Sequence, residues 1–170
     1  MDIRVFADNI LMLNSERIDC ALGSGGVRPI KQEGDKATPV GCFPFRRVLY
    51  RADRVAPPAT RLPVAALAPD DGWCDAPADP RYNRQVTLPY PARHEVLWRD
   101  DHVYDLIVII GHNDDPPRPG AGSAIFLHSA RATLAPTEGC VALHEPDLRR
   151  LLEICGPGDR LCVSSGNAPP

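Results

Sequence analysis

The stretch Gly122–His144, GSAIFLHSARATLAPTEGCVALH, decides how this chain is read. An apolar run, Ala124–Ile125–Phe126–Leu127, ends at His128 and Ser129. A polar loop follows, and Thr137–Glu138–Gly139 then delivers Cys140 into a second apolar run, Val141–Ala142–Leu143. Short apolar runs bounded by turn residues read as strands. A histidine closing one strand and a cysteine opening the next face each other across neighbouring strands, as a thiol–imidazole pair requires. Gly139 tolerates positive φ and lets a substrate carbonyl approach the backbone. The N–H groups around Gly139 and Cys140 are therefore expected to hold an oxyanion. A free thiol has a pKa of about 8.5, and an adjacent imidazole shifts it towards a thiolate–imidazolium ion pair.

Upstream, Tyr104–Ile110 is the clearest buried strand, with Leu106–Ile110 continuous and largely β-branched. As a sheet partner of Ala124–His128 it brings its end, His112 and Asn113, to the rim of the pocket. The Pro/Gly-rich loop Asp114–Gly122 follows as a candidate lid. Downstream, Leu148, Leu151, Leu152 and Cys155 lie on one helical face, with Glu145 as N-cap, Pro146 in the first turn and Gly156–Pro157 as the stop. Arg160–Val163 reads as a closing strand and Ser164–Pro170 as a frayed end. At the other end of the chain, Ile3–Phe6, Ile10–Leu13, Arg17–Leu22 and Phe43–Tyr50 read as strands. Arg51–Asp101 has weak strand signals and much Pro, Ala, Asp and Arg, so an irregular flap over the sheet is expected. Trp73, Tyr82, Tyr90 and Trp98 are its anchors, and Trp73 and Tyr82 either line the cleft or pin the flap. Lys31 and Arg28 read as solvated loop charges, with a substrate carboxylate as the functional alternative.

His128–Ser129 followed by Thr137–Glu138–Gly139–Cys140–Val141 resembles the signature of the YkuD-type L,D-transpeptidases, bacterial enzymes that cross-link peptidoglycan. Gly34–Asp35 and Thr38-Pro39-x-Gly41-x-Phe43 resemble a second segment of that family. The resemblance implies one catalytic domain over residues 1–170, mainly β, a mixed sheet or sandwich with a short helix after the nucleophile and residues 51–101 as a flap. It implies Cys140 as nucleophile, His128 as general base and acid, Ser129 as the backbone group orienting that imidazole, and Gly139 in the oxyanion region. Candidate substrate-binding residues are His112, Asn113, Arg131, Thr137, Trp73 and Tyr82. The family usually carries Arg two residues after the Cys; Ala142 stands there, so either Arg131 or Arg118 substitutes or the donor is bound differently. The implied substrates are peptidoglycan stem peptides, cross-linked at diaminopimelate through a thioester, with an L-Ala–diaminopimelate link as a subtype. Carbapenem-type inhibitors are expected to bind. A cysteine carboxypeptidase or hydrolase and an inactive wall-binding module stand as alternatives. Papain-like hydrolases place Cys before His, the reverse of the order here.

A net charge of −3 gives no reason to expect a nucleic-acid partner. No apolar run reaches the roughly 18 residues of a membrane span, and Met1–Asn14 does not read as a signal peptide. Family resemblance implies the bacterial envelope or periplasm, while this chain leaves the cytoplasm open. None of the six cysteines forms a CxxC pair, and His128, Cys140 and His144 lack a fourth ligand of suitable spacing. No metal and no cofactor are therefore expected. Spacing assigns no disulfide partners; Cys42 reads as structural, and Cys155 and Cys162 as small buried hydrophobes.

Overall fold

The structure is a computed structural model describing residues 1–169. Its strands, in chain order, are β1 (Asp2–Phe6), β2 (Ile10–Leu13), β3 (Glu16–Asp19), β4 (Val27–Arg28), β5 (Thr38–Pro39), β6 (Gly41–Tyr50), β7 (Val64–Ala66) and β8 (Asp71–Cys74). They continue with β9 (Gln85–Thr87), β10 (His94–Val96), β11 (Leu106–Ile110), β12 (Phe126–Ser129), β13 (Val141–Leu143) and, after helix α1 (Glu145–Ile154), β14 (Arg160–Ser164).

The main sheet has nine strands in the order β13-β12-β11-β6-β14-β1-β2-β3, with β7 added alongside β6. The chain leaving β3 returns to β13: Ala21 and Ala142 exchange N–H···O bonds of 2.8 and 2.9 Å. The sheet thus nearly closes into a barrel-like sandwich, which removes most of its exposed edge. Alternation sets its two faces. In β1, Ile3 and Val5 point inward; in β11, Leu106, Val108 and Ile110 do the same and meet Leu127, Val141 and the helix residues Leu148, Leu151 and Leu152. The other face of β11, Ile107 and Ile109, is buried too, beneath a second cluster of Leu67, Trp73, Leu97, Val103, Tyr104 and Phe126. Burial on both faces explains why β11 is apolar without interruption.

Several local expectations are corrected. Arg51–Asp101 is not wholly irregular: β10, β8 and β9 form a small antiparallel sheet in that order. The strand expected over Arg17–Leu22 ends at Asp19, with Ala21 and Gly23 making isolated bridges only. Glu145 lies inside the helix; the N-cap is His144, which makes no side-chain cap. The end is tethered rather than frayed, since Ala7 N–H donates to Gly166 O at 3.0 Å; Pro170 lies outside the described residues. Cys162 is not a buried thiol: it is disulfide-bonded to Cys42, its register partner across β14 and β6. Cys155 is buried as expected.

Candidate active site

β12 and β13 run parallel, with Leu127 opposite Val141 and His128 opposite Ala142. One step back, Phe126 lies beside Cys140, and the Phe126 N–H donates to Cys140 Sγ at 3.3 Å. Alternation then puts Phe126, His128 and Cys140 on the same face as Ile107 and Ile109, the face under the flap. Cys140 and His128 are diagonal neighbours on adjacent strands, about 8 Å apart at the backbone by sheet geometry.

The turn before Cys140 is tightly specified. Thr137 N–H donates to Leu22 O at 2.9 Å, its hydroxyl donates to Cys140 O at 2.6 Å, and Gly139 N–H donates to Thr137 Oγ1 at 3.1 Å. Thr137 thus shapes the turn through both its backbone and its hydroxyl. The Gly139 N–H, expected at an oxyanion, is committed to that turn. Gly139 has φ +132°, and a Cβ there would lie 2.9 Å from Ala37 O. Gly139→Ala is therefore expected to cost about 2–3 kcal/mol, from backbone strain and the clash. A thermal melt checks this; a melting temperature equal to the unaltered protein's contradicts it.

Cys140 Sγ donates to Ala124 O at 3.2 Å. Ala124 adopts φ +51°, a left-handed conformation, as the chain enters β12. His128 Nδ1 is 2.8 Å from Ser129 O. A carbonyl only accepts, so Nδ1 carries the proton and Nε2 holds the lone pair. Cys140 and His128 are 7% and 6% exposed, and this burial sets their charge. It pushes the thiol up to about 12 and the imidazole down to about 4, the latter opposed by the Ser129 hydrogen bond. The resting pair is a neutral thiol and a neutral imidazole, not the ion pair the sequence suggests.

The cover is aromatic. Trp73 and Tyr104 meet the Phe126 ring edge-to-face at centroid distances of 5.1 and 6.0 Å, and Tyr104 meets His128 at 5.2 Å. The Tyr104 hydroxyl donates to Glu95, whose carboxyl burial raises to about 7. Arg99 lies over the Tyr104 ring at 5.2 Å. Arg99 and Arg131 both bind Asp101 Oδ2, at 2.6 and 2.9 Å. Asn83 ties the flap to the segment entering β12: its Oδ1 accepts from Trp73 Nε1 at 2.9 Å and Ala124 N at 3.2 Å. Its Nδ2 donates to His112 O and Asn113 O at 2.9 and 2.7 Å.

Titration of these groups couples to stability. His128 is depressed in the fold, so its contribution is present above about 6.5 and is lost as pH falls through 4, about 3 kcal/mol in all. Glu95 is raised, so its contribution is present below about 4.5 and is lost as pH rises through 7. Melts of the unaltered protein and His128→Gln from pH 7 to pH 4 are expected to converge as pH falls. Parallel curves contradict the buried neutral imidazole.

Of the other sequence candidates, Trp73 lies directly over Phe126. Tyr82 is buried, its hydroxyl donating to Glu33 Oε2 at 2.5 Å, so it pins the flap to the loop before β5. Asn113 holds the loop that follows, with Nδ2 donating to Arg118 O at 3.0 Å and Gly122 O at 2.9 Å. His112 Nε2 sits 3.2 Å from Ala121 O and packs on Phe43. Ala142 is 1% exposed and opposite His128; the guanidinium charges of Arg99 and Arg131, both bound to Asp101, act on His128. Lys31 is not a solvated charge: its side chain is 6% exposed, paired with Asp35, and its field reaches Cys140. Asn83, Glu95, Arg99 and Tyr104 escape sequence reading, because none carries a local motif and each reaches the site through long-range packing.

A thiol and an imidazole share one sheet face, the thiol at the end of a Thr-x-Gly-Cys turn. The L,D-transpeptidase catalytic domain, YkuD, matches residues 3–163, and the chain belongs to that family. Among solved structures it is similar to the helical cell shape determining protein Pgp2 from Campylobacter jejuni, with 10% identity over 98% of this chain and 48% of that one and a TM-score of 0.48. The K307A mutant of Pgp2 matches with 14% identity over 98% and 47% and a TM-score of 0.39. The chain thus spans about half the length of these proteins. No curated protein matches it.

Proposed function

We propose that this domain is an L,D-transpeptidase in which Cys140 carries an acyl group between peptidoglycan stem peptides. The observation that carries the reading is the shared sheet face of Cys140 and His128, with Nδ1 held by Ser129 O so that Nε2 is the base. With substrate beneath the flap the site stays desolvated, and both groups stay neutral until the chemical step. His128 Nε2 then takes the thiol proton as Sγ attacks the carbonyl next to a diaminopimelate-type residue. The Cys140 N–H is the donor we assign to the oxyanion, since Gly139 is committed to the turn. The leaving amine takes the proton from His128, and the remaining acyl group stays on sulfur as a thioester.

An amine of a second stem attacks the thioester, His128 accepts its proton, and the thiol is released with a new amide. Trp73, Tyr104 and Leu97 exclude water from this face, which favours amine over the more abundant water. The Cys42–Cys162 disulfide supports an oxidising compartment, as at the bacterial envelope.

Incubation with defined muropeptides and mass spectrometry of the products tests the reading. Cross-linked dimers are expected. Trimmed monomers make the domain a carboxypeptidase, and unchanged input makes it a binding module.

A further inference from the structure

A groove of about 390 Å³ adjoins this face, lined by Arg47, Trp73, Asn83, Arg84, Ile109 and Phe126 and, from the opposite face, by Ile110 and Ile125; Cys140 lies next to its Phe126 wall rather than in its lining. Register places Arg47 opposite Ile109 and Ile109 opposite Phe126, with Cys140 beside Phe126. One row of residues therefore crosses four strands from Arg47 to the nucleophile. At about 4.8 Å per strand, this row spans about 14 Å, the length of about four extended residues.

The charges along the groove are unevenly matched. Arg46 is neutralised by Asp114 through bonds of 2.8 and 3.2 Å. Arg47 makes one side-chain bond, Nη2 to Gln85 Oε1 at 2.6 Å, and its buried Nε has no partner. Gln85 is itself oriented by Nε2 donating to Asp71 Oδ1 at 2.6 Å, which fixes the neutral amide oxygen against Arg47. Arg84 donates to carbonyls, Asn83 O at 3.3 Å and Asp114 O at 2.6 Å. Among the described residues neither Arg47 nor Arg84 has a carboxylate within 4.0 Å. Asp115 is the remaining acid lining the groove, so two guanidinium groups face one carboxylate. In the flap, Arg93 is paired with Asp75 and Arg99 with Asp101.

We propose that this groove is a carboxylate-recognition subsite, in which Arg47 and Arg84 hold an acidic side group of the peptide whose carbonyl is presented to Cys140. The inference rests on the acyl-transfer reading and deepens it. The planar fork of a guanidinium matches a carboxylate bidentately, and the span limits that acid to within about four residues of the scissile carbonyl. Trp73 and Phe126 supply the apolar wall against which the backbone of the peptide lies.

The test is isothermal titration of the Cys140→Ala protein, which binds without turnover, using two four-residue stem peptides. One carries a free carboxylate on the residue before diaminopimelate, and the other has that carboxylate amidated. The free acid is expected to bind at least about tenfold more tightly, about 1.4 kcal/mol. Arg84→Gln and Arg47→Gln are each expected to shrink that ratio and together to abolish it, leaving the affinity of the amide unchanged. Equal affinities on the otherwise unaltered protein, a comparison that does not depend on an arginine variant folding, overturn the subsite, as does absence of measurable binding by either peptide. A carboxylate preference in a protein that produces neither dimers nor trimmed peptides leaves the subsite standing and removes the activity. Turnover with equal affinities does the reverse.

Discussion

Cys140→Ala is expected to abolish muropeptide turnover, with a loss of at least about 10⁴-fold, while the fold survives. The two effects separate for a physical reason. The sulfur is the proposed group that bonds to the acyl carbon, and water positioned by the remaining groups replaces a covalent nucleophile poorly. In the fold, by contrast, Cys140 Sγ contributes one donated bond to Ala124 O and one accepted from Phe126 N–H, both long at 3.2 and 3.3 Å. Removing a single buried sulfur and two weak bonds costs about 1–2 kcal/mol. The melting temperature is thus expected to fall by a few degrees. Retained turnover in a folded Cys140→Ala protein contradicts the assignment of the nucleophile.

The second large effect is on stability. Cys42 and Cys162 are 120 residues apart in sequence and join β6 to β14 at the seam of the main sheet. Closing a loop of that length in the unfolded chain corresponds to about 5 kcal/mol in the chain-entropy account. Because unfolded chains retain structure, 2–5 kcal/mol is the expected range for its removal. Cys42→Ser with Cys162→Ser, or reduction of the unaltered protein, is expected to lower the denaturation midpoint accordingly without altering the Cys140–His128 face. That face lies three strands from β14, across β6 and β11. A midpoint indifferent to reductant contradicts the bond.

Those two residues also show where sequence reading stops. The pairing of Cys42 with Cys162 depends on β6 and β14 becoming neighbours, which local pattern does not encode. β11 was legible because five consecutive apolar residues are buried on both faces, and β12 and β13 because turn residues bound short apolar runs. The strands of the flap were not. β8, β9 and β10 are three or four residues long, too short for alternation to rise above a background of Pro, Ala and Asp. Cys140 and His128 were legible because their order and turn residues form a motif. Asn83, Tyr104, Glu95 and Arg99 come from segments whose role appears when the flap folds over β12. Lys31 reads as a loop charge and is instead packed against Asp35 and Gly122. The electrostatics diverged for a related reason: adjacency of thiol and imidazole suggests an ion pair, but the flap desolvates both, and the charged forms lose.

The central claim is that Cys140, among four free and buried cysteines, is the sulfur that takes an acyl group. A carbapenem tests this directly, because its lactam carbonyl stands in for the peptide carbonyl and ring opening leaves a stable thioester. Intact-mass spectrometry followed by peptide mapping is predicted to find one adduct per chain, on the peptide containing Cys140, and none in Cys140→Ala. An adduct on Cys20, Cys74 or Cys155, or an unchanged mass, would contradict the account.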